Sequence, residues 1–146
     1  MQIRTMTIED YPQVYDLWIH TPGMGLNTID DGRDGIEKYL RRNPTTCFVA
    51  VDEGRIIGVI LSGYDGRRGF IYHTAVLPNY RKKGVGRQLV DAAMQALEME
   101  GIHKVALVAF AKNVMGNAFW EKLGFFRRRD LVYRNKRIHA LEKIET

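Results

Sequence analysis

The residues best suited to chemistry form one short, basic segment, Arg81-Lys82-Lys83-Gly84-Val85-Gly86-Arg87. Four of its seven side chains are cationic, and it lies between an apolar, strand-like run and an amphipathic, helix-like stretch. The first turn of a helix has unpaired N–H groups and partial positive charge, and glycine lets a phosphate oxygen approach them. The segment therefore predicts a phosphate-binding cradle, with an ordinary helix start as the alternative.

Two common nucleotide-binding fingerprints do not fit this cradle. A P-loop has four residues between its glycines and then Lys-Ser/Thr, whereas a single residue separates Gly84 from Gly86 here and Arg87-Gln88 follows. The dinucleotide fingerprint G-x-G-x-x-G requires a third glycine where this chain has Leu89. The spacing that remains is Arg-x-x-Gly-x-Gly at the start of a helix.

Together with its neighbours, the cradle resembles the signature of the GNAT superfamily of acyl-CoA-dependent N-acyltransferases, Gln/Arg-x-x-Gly-x-Gly/Ala. Ala75-Val76-Leu77-Pro78 is similar to that family's fourth strand, and Asn113 and Trp120-Glu121-Lys122-Leu123-Gly124-Phe125 are similar to its Asn … Tyr-Glu-Lys-Leu-Gly-Phe block. The resemblance implies that residues 81–87 bind the pyrophosphate of coenzyme A. It also implies that Val76 N–H polarises the thioester carbonyl beside Ala75, and that Asn113 contacts the cofactor. A helix N-cap is the alternative for Asn113.

The resemblance leaves the usual proton-transfer positions without a suitable group. The family often has a tyrosine acid at the position of Trp120, whose indole N–H donates a hydrogen bond but does not ionise at useful pH. We therefore expect Trp120 to wall the thiol pocket. Positions where the family has a base carry Phe70 and Val108 in this chain.

Two tyrosines remain as catalytic candidates by family layout, Tyr72 and Tyr133. A phenol has a reference pKa of ~10, so either tyrosine needs help or a water chain to move a proton. For both, a half-buried strand aromatic is the alternative. His73 falls on the other face of its strand and is predicted to pack against a helix.

Hydrophobic periodicity predicts the elements that position these groups. Helices are expected near residues 11–18, 34–42, 85–97 and 114–123, and strands near 3–6, 46–52, 55–64, 70–76 and 104–110. Two last strands are expected between residues 125 and 143, and the consecutive apolar residues of 104–110 predict an interior strand. The pattern indicates one α/β domain over residues 1–146. By resemblance, it has a GNAT-like fold, with a mixed, mostly antiparallel sheet flanked by helices and a splay between its fourth and fifth strands.

Composition bounds the remaining choices. The 146 residues, 45% of them apolar, suit one globular domain. No apolar run approaches the ~20 residues of a membrane span, and the amino terminus lacks the apolar core of a signal peptide.

The single Cys47, in a predicted buried strand, fits a reducing cytoplasm. The net charge of +5 favours anionic partners. Without zinc-ligand spacing or nucleic-acid motifs, we expect no metal, nucleic acid or membrane partner.

The acceptor side contains charges of both signs. Asp30, Asp31 and Asp34 can attract a cationic amine, although acidic residues also favour a helix N-terminus. Arg67 and Arg68 can hold a carboxylate on the acceptor, or be solvated turn residues.

The resemblance therefore predicts a cytoplasmic N-acetyltransferase that moves an acetyl group from acetyl-CoA to a primary amine of a small molecule, peptide or protein. Direct amine attack in a ternary complex is the expected mechanism, and a homodimer is a further expectation. The alternative is a module that binds coenzyme A or another anion without catalysis.

Overall fold

A computed structural model describes all residues, 1–146, as an α/β arrangement of four helices and seven strands. The helices are α1 (Tyr11–Ile19), α2 (Arg33–Arg42), α3 (Val85–Met99) and α4 (Val114–Lys122). The strands are β1 (Gln2–Thr5), β2 (Leu26–Asn27), β3 (Phe48–Asp52), β4 (Arg55–Tyr64), β5 (Gly69–Val76), β6 (Val105–Leu107) and β7 (Lys143–Ile144). No helix combines the length and apolar character needed to cross a bilayer.

The main sheet has five strands in the order β1-β3-β4-β5-β6. Every neighbouring pair is antiparallel except β5 and β6, which are parallel. The short strands β2 and β7 form a separate antiparallel pair, in which Leu26 is opposite Ile144. The predicted mixed, mostly antiparallel sheet flanked by helices is confirmed.

The core lies on both faces of this sheet because β4 is buried along most of its length. Val59 packs in the cluster under α1 and α2, which also contains the fully buried Trp18. Ile60 packs in the cluster under α3, beside the fully buried Leu89. Each such side chain stabilises the fold by roughly 1.5–3 kcal/mol. The two clusters hold β4 and β5 between helix layers, and this fixes the position of the end of β5.

Cys47 is a small core residue, as predicted. Its side chain is 1% exposed, and its thiol donates a hydrogen bond to the Ser62 carbonyl at 3.3 Å. Burial raises the pKa of the Cys47 thiol to about 12, so the group is neutral at physiological pH.

All four predicted helices are confirmed to within a few residues, but two strand predictions are wrong. The predicted strand at 104–110 contains only the three residues of β6, which form an edge of the sheet and are not fully buried. A run of apolar residues can also lie in an edge strand, because apolar side chains are often only half-buried in folded proteins. The short strand β2 was not predicted, because two residues carry no periodicity.

The two strands predicted between residues 125 and 143 are absent, and only β7 forms at the end of that region. Residues 126–140, here called the tail, have no helix or strand, and every residue is exposed. Leu131 and Val132 are adjacent, so in a strand they would point to opposite faces. The six Lys and Arg residues of the tail leave neither face apolar enough to bury.

Candidate functional site

The start of α3 has a run of backbone donors without protein acceptors. The N–H groups of residues 82–87 donate to no backbone or side-chain group, and the first α-helical bond is from Gln88 N–H to the Gly84 carbonyl, at 3.0 Å. Six consecutive free donors, together with the positive end of a fifteen-residue helix, are the groups that an anion-binding site requires. The cradle therefore fits a phosphate group by geometry as well as by sequence.

The two glycines of the cradle serve different structural purposes. Gly84 is the N-cap of α3 with a φ of 82°, a left-handed conformation that glycine adopts at little cost. Gly86 is needed for packing, because a Cβ atom there would lie 3.1 Å from the ring of Phe119 on α4. Gly84 thus shapes the loop, whereas Gly86 lets α4 approach α3 closely.

The cations of the cradle also differ in what they contact. The Arg81 guanidinium donates to the Val76 carbonyl at 3.0 Å and so ties the cradle to the end of β5. The Lys83 ammonium lies 5.7 Å from the Tyr80 ring centroid. Lys82 and Arg87 are in no ion pair, so their charges are free to meet an anion.

The end of β5 next to the cradle is open on one side. Pairing with β6 covers only Gly69, Phe70 and Ile71, while β5 continues to Val76. From residue 72 onward, β5 therefore has a hydrogen-bonded neighbour only on its β4 side. We call residues 72–76 the open end of β5. Ala75 and Val76 lie in it, where the splay and the thioester contacts are predicted. The roles of both residues stay predictions.

Asn113 has the capping role that was its alternative. Its side-chain oxygen accepts the Gly116 N–H at 2.9 Å at the start of α4. The side-chain amide nitrogen of Asn113 donates to no protein group, so capping leaves a donor for a ligand. Trp120, on the same helix, packs edge-on against Phe119 and Phe125 at centroid distances of 5.0 and 5.3 Å. The contacts of Asn113 and Trp120 with a cofactor stay predictions.

Tyr72 begins the open end of β5 and is 45% exposed. Its ring lies 4.7 Å from that of Phe70. Burial, and then the charges of Tyr133 and Asp30, raise the pKa of Tyr72. The hydroxyl therefore stays protonated at neutral pH. Tyr133 lies in the tail and is 66% exposed, so it is not the half-buried strand residue proposed as its alternative.

His73 sits at a bulge in β5. Val59 is opposite Ala75 and Leu61 is opposite Tyr72, so two residues, His73 and Thr74, face the single residue between them on β4. The φ angle of His73 is 31°, a strained value for a residue with a side chain.

The His73 ring lies edge-on to Trp18 of α1 at 5.2 Å, and this confirms that it packs against a helix. The second partner of His73 was not predicted. The His73 Nε2 atom lies 2.7 Å from an Asp31 carboxylate oxygen, and both side chains are largely buried. The two residues are 42 positions apart and share no motif, so only the folded chain reveals the pair.

Asp30 and Asp34 are exposed, while Asp31 is buried. Arg67 and Arg68 lie exposed in a turn whose backbone N–H groups donate to Asp65. No group of three or more His, Cys, Asp or Glu side chains is arranged to hold a metal ion. The convergent features of the molecule are therefore the cradle, the open end of β5 and the His73–Asp31 pair.

Comparison with known proteins extends this description. The family model described as the acetyltransferase (GNAT) family matches residues 11–125. Acetyltransferase SG1711 of Sodalis glossinidius (strain morsitans) is 30% identical over 138 residues, covering 94% of this chain and 96% of the relative.

Two solved structures are similar in fold. Aminoglycoside N-acetyltransferase AAC(6')-Iy in complex with CoA has a TM-score of 0.71 and 21% identity, covering 93% of this chain and 99% of that one. Chaetomium thermophilum Naa20 in complex with a bisubstrate analogue has a TM-score of 0.75 and 21% identity, covering 85% of this chain and 70% of that one.

Proposed function

The chain belongs to the GNAT acetyltransferase family, and from this we propose that it transfers an acetyl group from acetyl-CoA to a primary amine. The observation that carries the proposal is the run of six unpaired N–H groups at residues 82–87, placed beside the open end of β5. A donor surface for phosphate and an unpaired strand end for an extended chain suit the two halves of coenzyme A.

Each predicted cofactor residue has a place in this proposal. The N–H groups of the cradle, with the charges of Lys82, Lys83 and Arg87, would hold the pyrophosphate. Arg81 would keep the cradle at a fixed distance from β5 through its bond to the Val76 carbonyl. The free amide of Asn113 and the ring of Trp120 would contact the pantetheine side.

Acyl transfer from a thioester requires aligned reactants, a deprotonated amine and a polarised carbonyl. Coenzyme A supplies the activated acetyl group, and this chain would supply alignment through the cradle and polarisation through the Val76 N–H. Tyr72 and Tyr133 remain our candidates for proton transfer by a phenol. Since the pKa of Tyr72 is raised, its hydroxyl suits a donor to the leaving thiolate better than a base.

We further propose that the acceptor is a small-molecule or peptide amine. Similar folds act in an aminoglycoside N-acetyltransferase and in Naa20, which was solved with a bisubstrate analogue. The exposed Asp30 and Asp34 beside the first helix pair provide negative charge that would attract an ammonium group. A cytoplasmic location and a homodimer complete the proposal, and light scattering at several protein concentrations tests the dimer.

Calorimetric titration with two thioesters tests cofactor binding. Acetyl-CoA and S-acetylpantetheine carry the same reactive end, but only acetyl-CoA has the pyrophosphate. We expect acetyl-CoA to bind at least about 100-fold more tightly, which is ~2.7 kcal/mol, because the cradle contacts only the longer ligand. Equal affinity for the two ligands would contradict the cradle assignment.

Thiol release separates catalysis from binding. Incubation of the protein with acetyl-CoA and a panel of primary amines should release free thiol and give an acetylated product detectable by mass spectrometry. A protein that binds acetyl-CoA but releases no thiol with any amine would instead be the non-catalytic binding module.

A further inference from the structure

We propose that His73, oriented by Asp31, is the base that removes a proton from the acceptor amine. This inference rests on the proposed acetyl transfer and assigns the deprotonation of the acceptor amine, a step to which the Tyr72 phenol is less suited than to proton donation. His73 adjoins Tyr72 in the open end of β5, three residues before Val76. The other three histidines of the chain, His20, His103 and His139, are exposed. His73 is therefore the one imidazole built into the candidate site.

Contacts other than the one with His73 also hold Asp31 in place. One of its oxygens accepts the Asn27 N–H at 2.8 Å, and the other lies 2.7 Å from His73 Nε2. The Asp31 carbonyl also accepts the Tyr11 hydroxyl at 2.8 Å. With a side-chain exposure of 6%, the carboxylate is shielded from water. Such a rigid, buried acceptor holds an imidazole in one orientation.

The backbone of His73 is held in an unfavourable conformation by its surroundings. The Trp18 indole N–H donates to the His73 carbonyl at 3.3 Å, and the bulge places the residue at a positive φ. Backbone strain of this kind is found mainly at functional sites, where the surrounding structure holds a side chain in a required position. Simple packing against Trp18 would not require a bulge, a strained φ and a buried carboxylate together.

The pair defines which ring nitrogen is free. An ionised carboxylate only accepts hydrogen bonds, so the proton of a neutral imidazole lies on Nε2, between His73 and Asp31. The Nδ1 atom then carries a lone pair, and it has no hydrogen-bond partner in the protein. The charged or titratable groups next to His73 are Asp31 from the segment before α2 and Tyr72 on β5, while α1 presents the neutral Trp18. The charge of Asp30 acts on Tyr72.

The reaction balances with this base. An aliphatic ammonium has a pKa of ~10, so nearly all of the acceptor is protonated at neutral pH. Nδ1 of His73 takes one proton, and the free amine attacks the thioester carbonyl to form the C–N bond. The C–S bond breaks, the second amine proton goes to the leaving thiolate, and imidazolium returns its proton to water. Asp31 acts through His73 and is a positioning residue.

The experiment compares pH–rate profiles of His73→Gln, His73→Asn and Asp31→Asn with that of the unsubstituted protein. Asparagine tolerates a positive φ, so His73→Asn keeps the backbone if His73→Gln fails to fold. We expect kcat near neutral pH to fall about 100-fold in the His73 variants and about tenfold or more in Asp31→Asn. The loss should shrink as pH rises, because solution then supplies the free amine. The affinity for acetyl-CoA should change by less than about twofold.

The matched control is His20→Gln. His20 also faces an aspartate, with Nδ1 at 3.5 Å from Asp16, but both side chains are more than 70% exposed. This variant should keep the full rate. A His73 variant that keeps its rate, or loses the same factor at every pH, overturns the inference while leaving the proposed function intact. If the unsubstituted protein releases no thiol with any amine, the proposed function itself fails.

Discussion

The cradle and the tail are both rich in Lys and Arg, but they differ in backbone structure. Only the cradle lies at the start of a helix. The tail has six Lys and Arg residues and one carboxylate, which together equal the formal net charge of +5 for the whole chain. The tail has no secondary structure and therefore no helix end with which to combine its charge. The cradle lies in a part of the chain with balanced charge, yet it presents six unpaired N–H groups. Backbone geometry, rather than net charge, therefore distinguishes the proposed anion site from the tail.

Two arginine–carboxylate pairs repeat this contrast. Arg4 binds Asp10 through two hydrogen bonds of 2.8 Å, and Asp10 also accepts the Thr7 N–H at 2.9 Å. Arg128 binds Asp130 in the tail with similar distances of 2.8 and 2.7 Å. The Asp10 side chain is 9% exposed and that of Asp130 is 66% exposed. Water surrounds the second pair and weakens it, so equal distances do not imply equal contributions to stability.

The largest expected effect is on the affinity for acetyl-CoA, and it distinguishes charges in the cradle from charges in the tail. We expect the double variant Lys83→Glu, Arg87→Glu to bind acetyl-CoA about 100-fold more weakly, because each reversal replaces an attraction to phosphate by a repulsion of roughly similar size. The tail control Arg127→Glu, Arg129→Glu makes the same change in net charge and should alter the affinity less than about twofold. Calorimetric titration of both variants measures the difference, and equal losses would show that net charge alone drives binding.

A smaller effect is expected on stability, where the Arg4–Asp10 and Arg128–Asp130 pairs should differ. We expect Asp10→Asn to lower the free energy of unfolding by about 2 kcal/mol, because a buried charge-assisted hydrogen-bond network is lost. Asp130→Asn should leave stability unchanged in urea denaturation. A measurable loss of stability in Asp130→Asn would mean that the tail pair is protected from water.

The pH dependence of stability has a definite sign at Asp10. Burial raises the pKa of Asp10, but the hydrogen bonds from Arg4 and the Thr7 N–H outweigh it, and the net pKa lies below the ordinary value. The pair therefore stabilises the fold fully above the unfolded-state pKa of ~3.9, and its contribution is lost as pH falls through the lower folded-state pKa. Denaturation curves of the unsubstituted protein and Asp10→Asn should converge in acid.

The smallest effect concerns the two tyrosines. We expect Tyr72→Phe to lower kcat about fivefold, because a proton donor is removed from the open end of β5 while water can replace it in part. Tyr133→Phe should lower kcat by a smaller factor, about twofold, because water replaces a hydroxyl more easily at this more exposed residue. It should also move the pKa of Tyr72 down, because the Tyr133 charge is one of the causes that raise it. Titration of tyrosinate absorbance measures the shift, and an upward shift would contradict this placement of the two rings.

Local patterns were enough to predict the helices and the turn at which α3 begins. Val85, Leu89 and Val90 repeat at helical spacing and face the core as predicted. The Gly84-Val85-Gly86 turn, flanked by cations, then predicted where α3 begins. These features depend on residues close in sequence, where helix geometry and capping act directly.

Features that depend on distant residues were not predictable in the same way. Nothing near His73 indicates Asp31, which comes from the segment before α2. A strand was predicted at Leu131-Val132-Tyr133, but a strand forms only if another element pairs with it and covers one face. The short β7 instead pairs with β2 near the start of the chain. Such pairings are set by the whole fold.

The inaccessible thiol of Cys47 has a practical consequence for enzymology. Chromogenic thiol reagents react with an accessible thiolate. The only cysteine of this protein is 1% exposed and neutral. The folded protein should therefore give no background in an assay that counts released coenzyme A. The same reagent added with denaturant would report one sulfhydryl per chain, so a single chromophore can follow both turnover and unfolding.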